Sequence, residues 1–423
     1  MNKLRISLIF LALVASALSA QSQTGCDNIR YRYTTAFDNF TVANDMPYGA
    51  NINADLDEQT LHLDLYQPLG DLETQRPLIV IAHGGFFIGG SKDGVDVVPL
   101  CQDFARMGYV VASIEYRLGI DNIFELEESF SEAVLRGVHD SKAAVRYFRK
   151  SAIEDGNPFG IDIEKIILGG ISAGGFIALH NVFIDSESEL PEIIDQTQPG
   201  LGGGLEGNSG NPGFSSEVLG IFNISGALFS TNTLPGNITP VISVHGTSDN
   251  TVPYGSGDID LLGFNITSVD GSGPIHAALD SLNLPNCLVT IEGAGHVPHV
   301  LSSNNYDVTI SGIAGYISAL VCPYYASDCS QYDYTDPGTI GIAAEREFDK
   351  ALAVYPNPIM RGQLLKIQGI SPGRSWTISD AGGREIYRHS GGSGLVLNVD
   401  WPAGLYLLRT SGTGLSTPFL VVD

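Results

Sequence analysis

A serine between glycines stands where an apolar run gives way to a helix-like segment. The pentapeptide Gly170-Ile-Ser-Ala-Gly174 has the pattern G-x-S-x-G, with Ser172 at its centre. A sharp strand-to-helix turn holds such a serine hydroxyl clear of a sheet, next to helix N–H groups that can bind a developing oxyanion. The pentapeptide alone is a weak signal in a chain with 50 glycines. Its position after a strand-like run and before a helix makes Ser172 a candidate nucleophile.

A serine hydroxyl is a poor nucleophile near neutral pH and needs an oriented base. Asp249 ends the sequence HGTSD after one apolar run, and His296 follows the next such run. Functional groups of open parallel sheets lie beyond the carboxyl ends of the strands. The order Ser, Asp, His is the one used with this serine motif. We therefore predict that His296 is the base for Ser172 and that Asp249 is the acid that orients it.

Three other histidines lie in related positions. His299 is the alternative base, but the Gly-Ala-Gly run before His296 leaves that loop free to aim the His296 ring. We predict structural roles for His245 and His83.

A second glycine-rich turn, His83-Gly84-Gly85, ends an earlier apolar run. Glycines there let the backbone approach the nucleophile, and the residue after the nucleophile supplies another donor. We predict the N–H groups of Gly84, Gly85 and Ala173 as the oxyanion hole. The alternative interpretation is an ordinary turn between a strand and a helix.

The side chains nearest to these motifs are apolar. We predict that Phe86, Phe87 and Ile171 line the substrate site, and that the acidic, glycine-rich segment 186–216 is a surface insertion that could arch over it. No cysteine–histidine spacing indicates a metal site, and the predicted chemistry needs no cofactor.

Short apolar runs alternate with amphipathic segments from about residue 60, which predicts an α/β fold with a mostly parallel sheet covered on both faces. The predicted helices span residues 133–149 and 175–183. The predicted strands span residues 77–82, 109–114, 166–168, 218–222, 240–244 and 287–291.

The last part of the chain has a different pattern, with β-like runs and no amphipathic helix. We predict a catalytic domain over residues 23–325, a linker over 326–350 and a small all-β sandwich over 351–423. The β-like runs span residues 364–368, 375–378, 395–399, 405–409 and 418–422.

The N-terminus has the pattern of a secretory signal. Lys3 and Arg5 precede an apolar run over residues 6–18, which ends in small residues. We predict a cleaved signal peptide over residues 1–22, with an uncleaved anchor as the alternative. No other stretch approaches the roughly 20 apolar residues of a membrane span, so we expect no stable span.

Charge and cysteine content narrow the partners further. With 22 Lys and Arg against 47 Asp and Glu, the formal net charge is −25, which argues against nucleic acid or an anionic membrane as a partner. Five cysteines leave at least one without a partner in the chain. Cys322 and Cys329 could close a small ring, and Cys101 is predicted to be a buried hydrophobe.

The stretch from His83 to Ser91, HGGFFIGGS, resembles the H-G-G-G-x-x-x-G-S segment of carboxylesterases and feruloyl-esterase-like α/β-hydrolases. The later sequences EYRL, GISAG, HGTSD and GH fall in that family's order, over roughly residues 55–320. Phe86 stands where the family has a third glycine. The resemblance implies an α/β-hydrolase fold and a serine esterase that acts on a small or polymeric ester.

The C-terminal sequences YPNP, ISDAGGR and PAGLYLLR resemble the sorting domain of type IX secretion substrates. The resemblance implies contact with the secretion machinery of a Bacteroidota-type bacterium and a secreted or cell-surface location. A carbohydrate-binding sandwich is the alternative for this domain.

Two other functions remain open for the hydrolase part. A prolyl-oligopeptidase-like peptidase would keep the fold but usually has a large propeller before it, and a non-catalytic binding or adhesion module would typically lack the serine or the histidine. We expect a secreted serine hydrolase that cleaves carboxylic esters.

Overall fold

Two units make up the part of the chain that the structure, a computed structural model, describes. The described residues are 25–120, 124–234, 239–261, 264–325, 329, 332, 334–335, 353–355, 359–368, 375–380, 384–390, 395–410 and 416–422. The larger unit comprises the described residues up to 297 and within 308–342, and the smaller unit those within 298–307 and 343–423. The predicted signal segment 1–22 and most of the predicted linker lie outside the described residues.

An eight-stranded sheet forms the centre of the larger unit. Its strands are β1 (Phe40–Ile52), β2 (Glu58–Pro68), β3 (Arg76–Ala82), β4 (Val110–Ile114), β5 (Ile161–Ile171), β6 (Gly220–Ile224), β7 (Val241–Gly246) and β10 (Asn286–Ile291). Their order is β1-β2-β4-β3-β5-β6-β7-β10. Strand β2 runs antiparallel to both of its neighbours, and every other pair in the sheet is parallel. This topology confirms the predicted α/β-hydrolase fold.

Within the described residues, five α-helices accompany the strands: α1 (Val98–Met107), α2 (Leu126–Glu154), α3 (Ala173–Phe183), α4 (Ser272–Ser281) and α5 (Ser303–Val321). Strands β3 and β4 are buried at every position because their residues are almost all apolar and both faces of the sheet are covered. Helix α3 is likewise buried along its whole length. The first residue of α3 directly follows Ser172, so a rigid strand and a buried helix fix the serine from both sides.

A separate hairpin follows the loop after β7, which carries Asp249. Its strands are β8 (Ser256–Leu261) and β9 (Phe264–Asp270), which pair antiparallel. Ile259, Ile266 and Val269 turn inward and join the apolar core of the larger unit. On the outer side, Thr267 Oγ1 donates a hydrogen bond of 3.3 Å to Glu127 Oε1 at the start of α2.

The predicted insertion 186–216 packs against α2 through charged groups. Lys142 Nζ and Arg146 Nη1 each lie 2.8 Å from a carboxylate oxygen of Glu206. Ser209 Oγ donates to Asp140 Oδ1 at 2.6 Å, and Asp140 also forms a fully buried ion pair with Arg117. These contacts hold the insertion on the helix.

Two disulfides tie the larger unit together, Cys26–Cys322 and Cys287–Cys329. The interpretation of a ring between Cys322 and Cys329 was therefore wrong, because each of these cysteines bonds to a residue distant in sequence. Cys101 is free and buried, as predicted. Burial raises the pKa of its thiol, so it stays a neutral hydrophobe.

The smaller unit contains two mainly antiparallel sheets. Its strands are β11 (Ala353–Tyr355), β12 (Ile359–Met360), β13 (Leu364–Gln368), β14 (Ser375–Asp380), β15 (Glu385–Ser390), β16 (Leu395–Asn398), β17 (Gly404–Thr410) and β18 (Ser416–Val422). One sheet has the order β11-β13-β16 and the other β12-β18-β17-β14-β15. Leu365, Ile367, Trp376, Ile378 and Leu408 belong to one apolar core. The β character of this region agrees with its sequence pattern.

Among the described helices, none combines the length and the apolar composition that a membrane crossing requires.

Candidate active site

Ser172 lies at the sharp turn between β5 and α3, with φ 53° and ψ −113°. A residue other than glycine is strained in this region of φ and ψ, and such backbone strain concentrates at functional sites. The neighbouring glycines permit the turn because a Cβ at Gly170 would overlap the Gly174 carbonyl, and a Cβ at Gly174 would overlap the Ala82 carbonyl. The Ser172 amide donates to the Ile224 carbonyl at 2.8 Å, which fixes the turn to β6.

The His296 ring lies within hydrogen-bonding distance of both Ser172 and Asp249, the two residues predicted to act with it. His296 Nε2 is 2.8 Å from Ser172 Oγ, and His296 Nδ1 is 2.7 Å from Asp249 Oδ2. Because a carboxylate only accepts hydrogen bonds, Nδ1 carries the proton and Nε2 is left to accept from the serine hydroxyl. This is the arrangement that a general base requires.

Asp249 is held as an anion. Burial alone would raise its pKa, but hydrogen bonds from His245, His296 and the Val252 amide together hold the pKa of Asp249 well below its usual range. Its second oxygen, Oδ1, accepts from the amides of Thr251 (2.9 Å) and Val252 (3.0 Å). The carboxylate is therefore charged and fixed in direction at any pH near neutral.

The loops that carry Asp249 and His296 are bonded directly to each other. The Ser248 amide donates to the Ala294 carbonyl at 2.9 Å, and a Cβ at Gly246 would overlap that same carbonyl. After His296, Val297 has a φ of 52°, which is strained for a β-branched residue. Its amide donates to Ser225 Oγ at 3.2 Å, which holds the strained turn in place.

The predicted oxyanion hole needs one correction. The Gly84 amide donates to Asp96 Oδ2 at 2.7 Å, so it is engaged and does not serve an oxyanion. The amides of Gly85, Phe86 and Ala173 have no backbone or side-chain acceptor among the described residues. Phe86 has a φ of 59°, so it takes the left-handed backbone conformation that a glycine would adopt without strain. The three amides that could bind an oxyanion are therefore those of Gly85, Phe86 and Ala173.

The other histidines near the site have bonded, buried rings. His83 stacks on Tyr116 with ring centroids 4.5 Å apart, and its Nδ1 lies 2.6 Å from the Gly84 carbonyl. His245 is fully buried behind Asp249. Of the two candidate bases, His296 rather than His299 is the one that reaches Ser172.

A small apolar cavity opens at Ser172. It is lined by Phe86, Phe87, Phe130, Ser172, Ala173, Phe176, Val252 and Ile259. The structure thus brings two of the three predicted lining residues to the cavity, whereas Ile171 is buried at the end of β5. Sequence reasoning missed Phe130, Phe176, Val252 and Ile259 as lining residues. Only Val252, three residues after Asp249, carried a local signal.

A second apolar cavity lies between α2, α3 and the insertion. Its lining includes Val134, Val138, Leu190 and Ile194. Ser172, Asp249 and His296 do not contribute to it. Of these two cavities, the one at Ser172 is the candidate active site because it contains the predicted nucleophile, which His296 contacts.

Comparison with known proteins points to esterases. The family model described as BD-FAE matches residues 63–200. Acetylcholinesterase of Gallus gallus is 32% identical over 124 residues, which cover 29% of this chain and 15% of that protein. Gut esterase 1 of Caenorhabditis briggsae is 33% identical over 120 residues, or 28% of this chain and 20% of that protein. The chain therefore spans at most about a fifth of the length of these two relatives.

Among solved structures, the apo form of Thermogutta terrifontis esterase 2 is 24% identical, covers 60% of this chain and 86% of its own, and gives a TM-score of 0.40. The BD-FAE match lies within the larger unit and runs from β2 into the insertion.

Proposed function

We propose that the protein is a serine esterase that cleaves carboxylic esters through an acyl-enzyme, with Ser172 as nucleophile, His296 as general base and acid, and Asp249 as the orienting carboxylate. The observation that carries this proposal is the continuous line of hydrogen bonds from Asp249 Oδ2 through the His296 ring to Ser172 Oγ. The family match over residues 63–200 and the similarity to two esterases support the same chemistry.

Each step assigns a proton to a named atom. Ser172 Oγ attacks the ester carbonyl carbon while His296 Nε2 takes the hydroxyl proton, and the carbonyl π electrons move onto oxygen. The amides of Gly85, Phe86 and Ala173 stabilise that oxyanion. When the intermediate collapses, the bond to the alcohol oxygen breaks and Nε2–H protonates the leaving alcohol. Water then attacks the acyl-enzyme with the same base, which releases the acid and restores Ser172.

The substrate side of the proposal follows from the cavity. Its lining side chains other than Ser172 and Ala173 are aromatic or branched aliphatic, and none is charged. Such a site accepts an uncharged acyl group. The proposed substrate is an ester of a small molecule or of a polymer whose acyl group enters the cavity.

We further propose that residues 1–22 direct export and that residues 351–423 are a type IX sorting domain, so that the protein is secreted or held at the cell surface. The basic, apolar and small-residue order of the N-terminus supports export. The two disulfides of the larger unit support an oxidising compartment. Cell fractionation of the full chain and of a variant lacking residues 351–423 tests this, because loss of the domain should trap the protein inside the cell.

The decisive experiment for the catalytic proposal is labelling with a fluorophosphonate probe. The wild-type protein should incorporate one probe per chain, Ser172→Ala should incorporate none, and Ser188→Ala, in the exposed insertion, should label normally. The Ser172→Ala variant should also lose at least about 10⁴-fold in kcat on p-nitrophenyl acetate with its fold intact.

Labelling that survives Ser172→Ala would overturn the proposal. Hydrolysis of aminoacyl anilides in preference to p-nitrophenyl esters would favour a peptidase, and a wild-type protein that neither labels nor hydrolyses would favour a binding module.

A further inference from the structure

We propose that His245 is a positioning residue that holds the Asp249 carboxylate in line with His296, and that Ser272 holds the His245 ring in place by donating a hydrogen bond to its Nδ1. This inference rests on the proposed function, since it concerns the same three catalytic groups. It assigns a task to a histidine that the G-x-S-x-G chemistry itself does not use.

The His245 ring lies directly behind the carboxylate. His245 Nε2 is 3.2 Å from Asp249 Oδ2, the same oxygen that His296 Nδ1 contacts at 2.7 Å. Both His245 and the Asp249 side chain are fully inaccessible to solvent. Water therefore cannot supply a hydrogen bond to this face of the carboxylate, and the His245 ring is the side-chain donor available there.

The protonation of the His245 ring follows from its neighbours. Nε2 donates a hydrogen bond to the Val252 carbonyl oxygen at 3.1 Å, and it shares that proton with Asp249 Oδ2, 3.2 Å away. Both neighbours of Nε2 only accept hydrogen bonds, so Nε2 must carry a proton. A neutral ring then leaves Nδ1 as an acceptor, and its neighbour is Ser272 Oγ at 2.8 Å.

Ser272 is in turn oriented by an asparagine. The Gly226 amide donates to Asn223 Oδ1 at 2.8 Å, which turns the Asn223 Nδ2 group toward Ser272 Oγ, 3.3 Å away, and Ser243 Oγ, 3.1 Å away. Because Ser272 Oγ accepts from Asn223, its own proton is available for His245 Nδ1. Every member of this chain of side chains is fully buried, so the donor directions are fixed.

The chain of donors thus runs from Asn223 through Ser272 and His245 to Asp249. Without the His245 donor, the Thr251 and Val252 amides would still hold Oδ1. Oδ2 would keep only His296, and it could swing about Oδ1 out of the line to Ser172. Loss of alignment affects the transition state more than substrate binding, so we expect kcat to change and KM to remain.

The test compares a donor-retaining with a donor-free variant of His245. His245→Gln places an amide N–H near the position of Nε2, whereas His245→Phe keeps the ring volume and removes the donor. With kcat expressed per site titrated by the fluorophosphonate, we expect a fall of about 10- to 100-fold for His245→Phe, within about fivefold of wild type for His245→Gln, and KM within about twofold in both.

Two further variants separate positioning from folding. Ser272→Ala keeps the His245 side chain but removes the proton donor to Nδ1, so kcat per titrated site should fall by at least about fivefold. His276→Gln, another buried histidine whose Nδ1 lies 2.6 Å from Asn286 Oδ1, should change thermal stability but not kcat. If His245→Phe does not fold, Ser272→Ala decides the question.

Unchanged kcat per titrated site in both His245→Phe and Ser272→Ala would overturn the inference and leave His245 a packing residue. Equal losses in His245→Phe and His245→Gln would overturn it too. Failure of the wild-type protein to be titrated would instead sink the proposed function, so the two failures are distinguishable.

Discussion

The amide of Gly84 is bound by the carboxylate of Asp96, 2.7 Å from nitrogen to oxygen, at the start of the turn that carries the candidate oxyanion donors. The α-carbon of Gly84 also lies so close to Ser172 that a Cβ there would be 3.4 Å from the serine Cβ. Asp96 therefore fixes the turn that must present the next two amides to the reacting carbonyl, although it does not itself reach the substrate.

We expect Asp96→Ala to lower kcat/KM by about 10- to 100-fold, because loss of a hydrogen bond to a charged group loosens the turn and displaces the amides of Gly85 and Phe86. Asp96→Asn keeps a carbonyl oxygen that can accept from Gly84, so it should stay close to wild type. Steady-state kinetics on p-nitrophenyl acetate measures both. Asp93→Ala, an exposed carboxylate of the same loop, is the control, and equal effects at positions 93 and 96 would contradict the assignment.

Ile259 of β8 is one of the residues that line the cavity at Ser172. We expect Ile259→Ala to shift preference toward longer acyl chains, raising the ratio of kcat/KM for p-nitrophenyl hexanoate over acetate by about tenfold, since discrimination per methylene in an apolar pocket is of that order. Ile266→Ala removes a core residue of the same hairpin that does not line the cavity. Ile266→Ala should lose comparable stability without changing the ratio of kcat/KM for hexanoate over acetate. If both variants change this ratio equally, the effect comes from the stability of the hairpin and not from the cavity lining.

Buried histidines make stability depend on pH in a calculable direction. Desolvation lowers the pKa of His180 to about 4, and its neutral form is fixed because Nδ1 faces the Phe176 carbonyl while Nε2 accepts from the Phe229 amide at 3.2 Å. An unfolded histidine titrates near 6.5. The stabilisation is therefore complete above about pH 6.5 and is lost as the pH falls toward 4, by about 1.4 kcal/mol per pH unit.

We expect the free energy of unfolding of His180→Gln to fall less steeply with decreasing pH than that of the wild type, by about that slope between pH 6 and 4.5. Urea unfolding at a series of pH values measures the difference. Parallel curves for the two proteins would contradict the prediction. The variant keeps His139 and His276, whose pKa values burial also lowers to about 4, so some pH dependence should remain.

The sequence predicted the elements whose residues are buried on all sides. The apolar run 77–82 became β3 and the run 109–114 became β4, because a strand covered on both faces must be apolar throughout. Strand β1 was missed since most of its residues are partly or fully exposed, so no apolar run marks it. The hairpin β8–β9 was missed for a similar reason, as its strands mix Asp, Ser and Asn with the few apolar residues that turn inward.

For the site, local motifs indicated Ser172, Asp249 and His296, because each follows a recognisable strand. The Gly84 assignment failed because its amide is taken by a carboxylate twelve residues away, and nothing in a glycine run shows which N–H groups are already bonded. Likewise Phe130 and Ile259 reach the cavity only through the packing of α2 and the hairpin. The spacing of residues along the sequence does not reveal a contact of this kind.

The Cys26–Cys322 bond joins two positions separated by 296 residues, near the two ends of the described hydrolase unit. A pulling force applied at residues 26 and 322 would pass through one covalent link, so the strands between them would carry almost none of it. Proteolytic nicking of an exposed loop between the two cysteines would likewise leave both pieces attached until the bond is reduced.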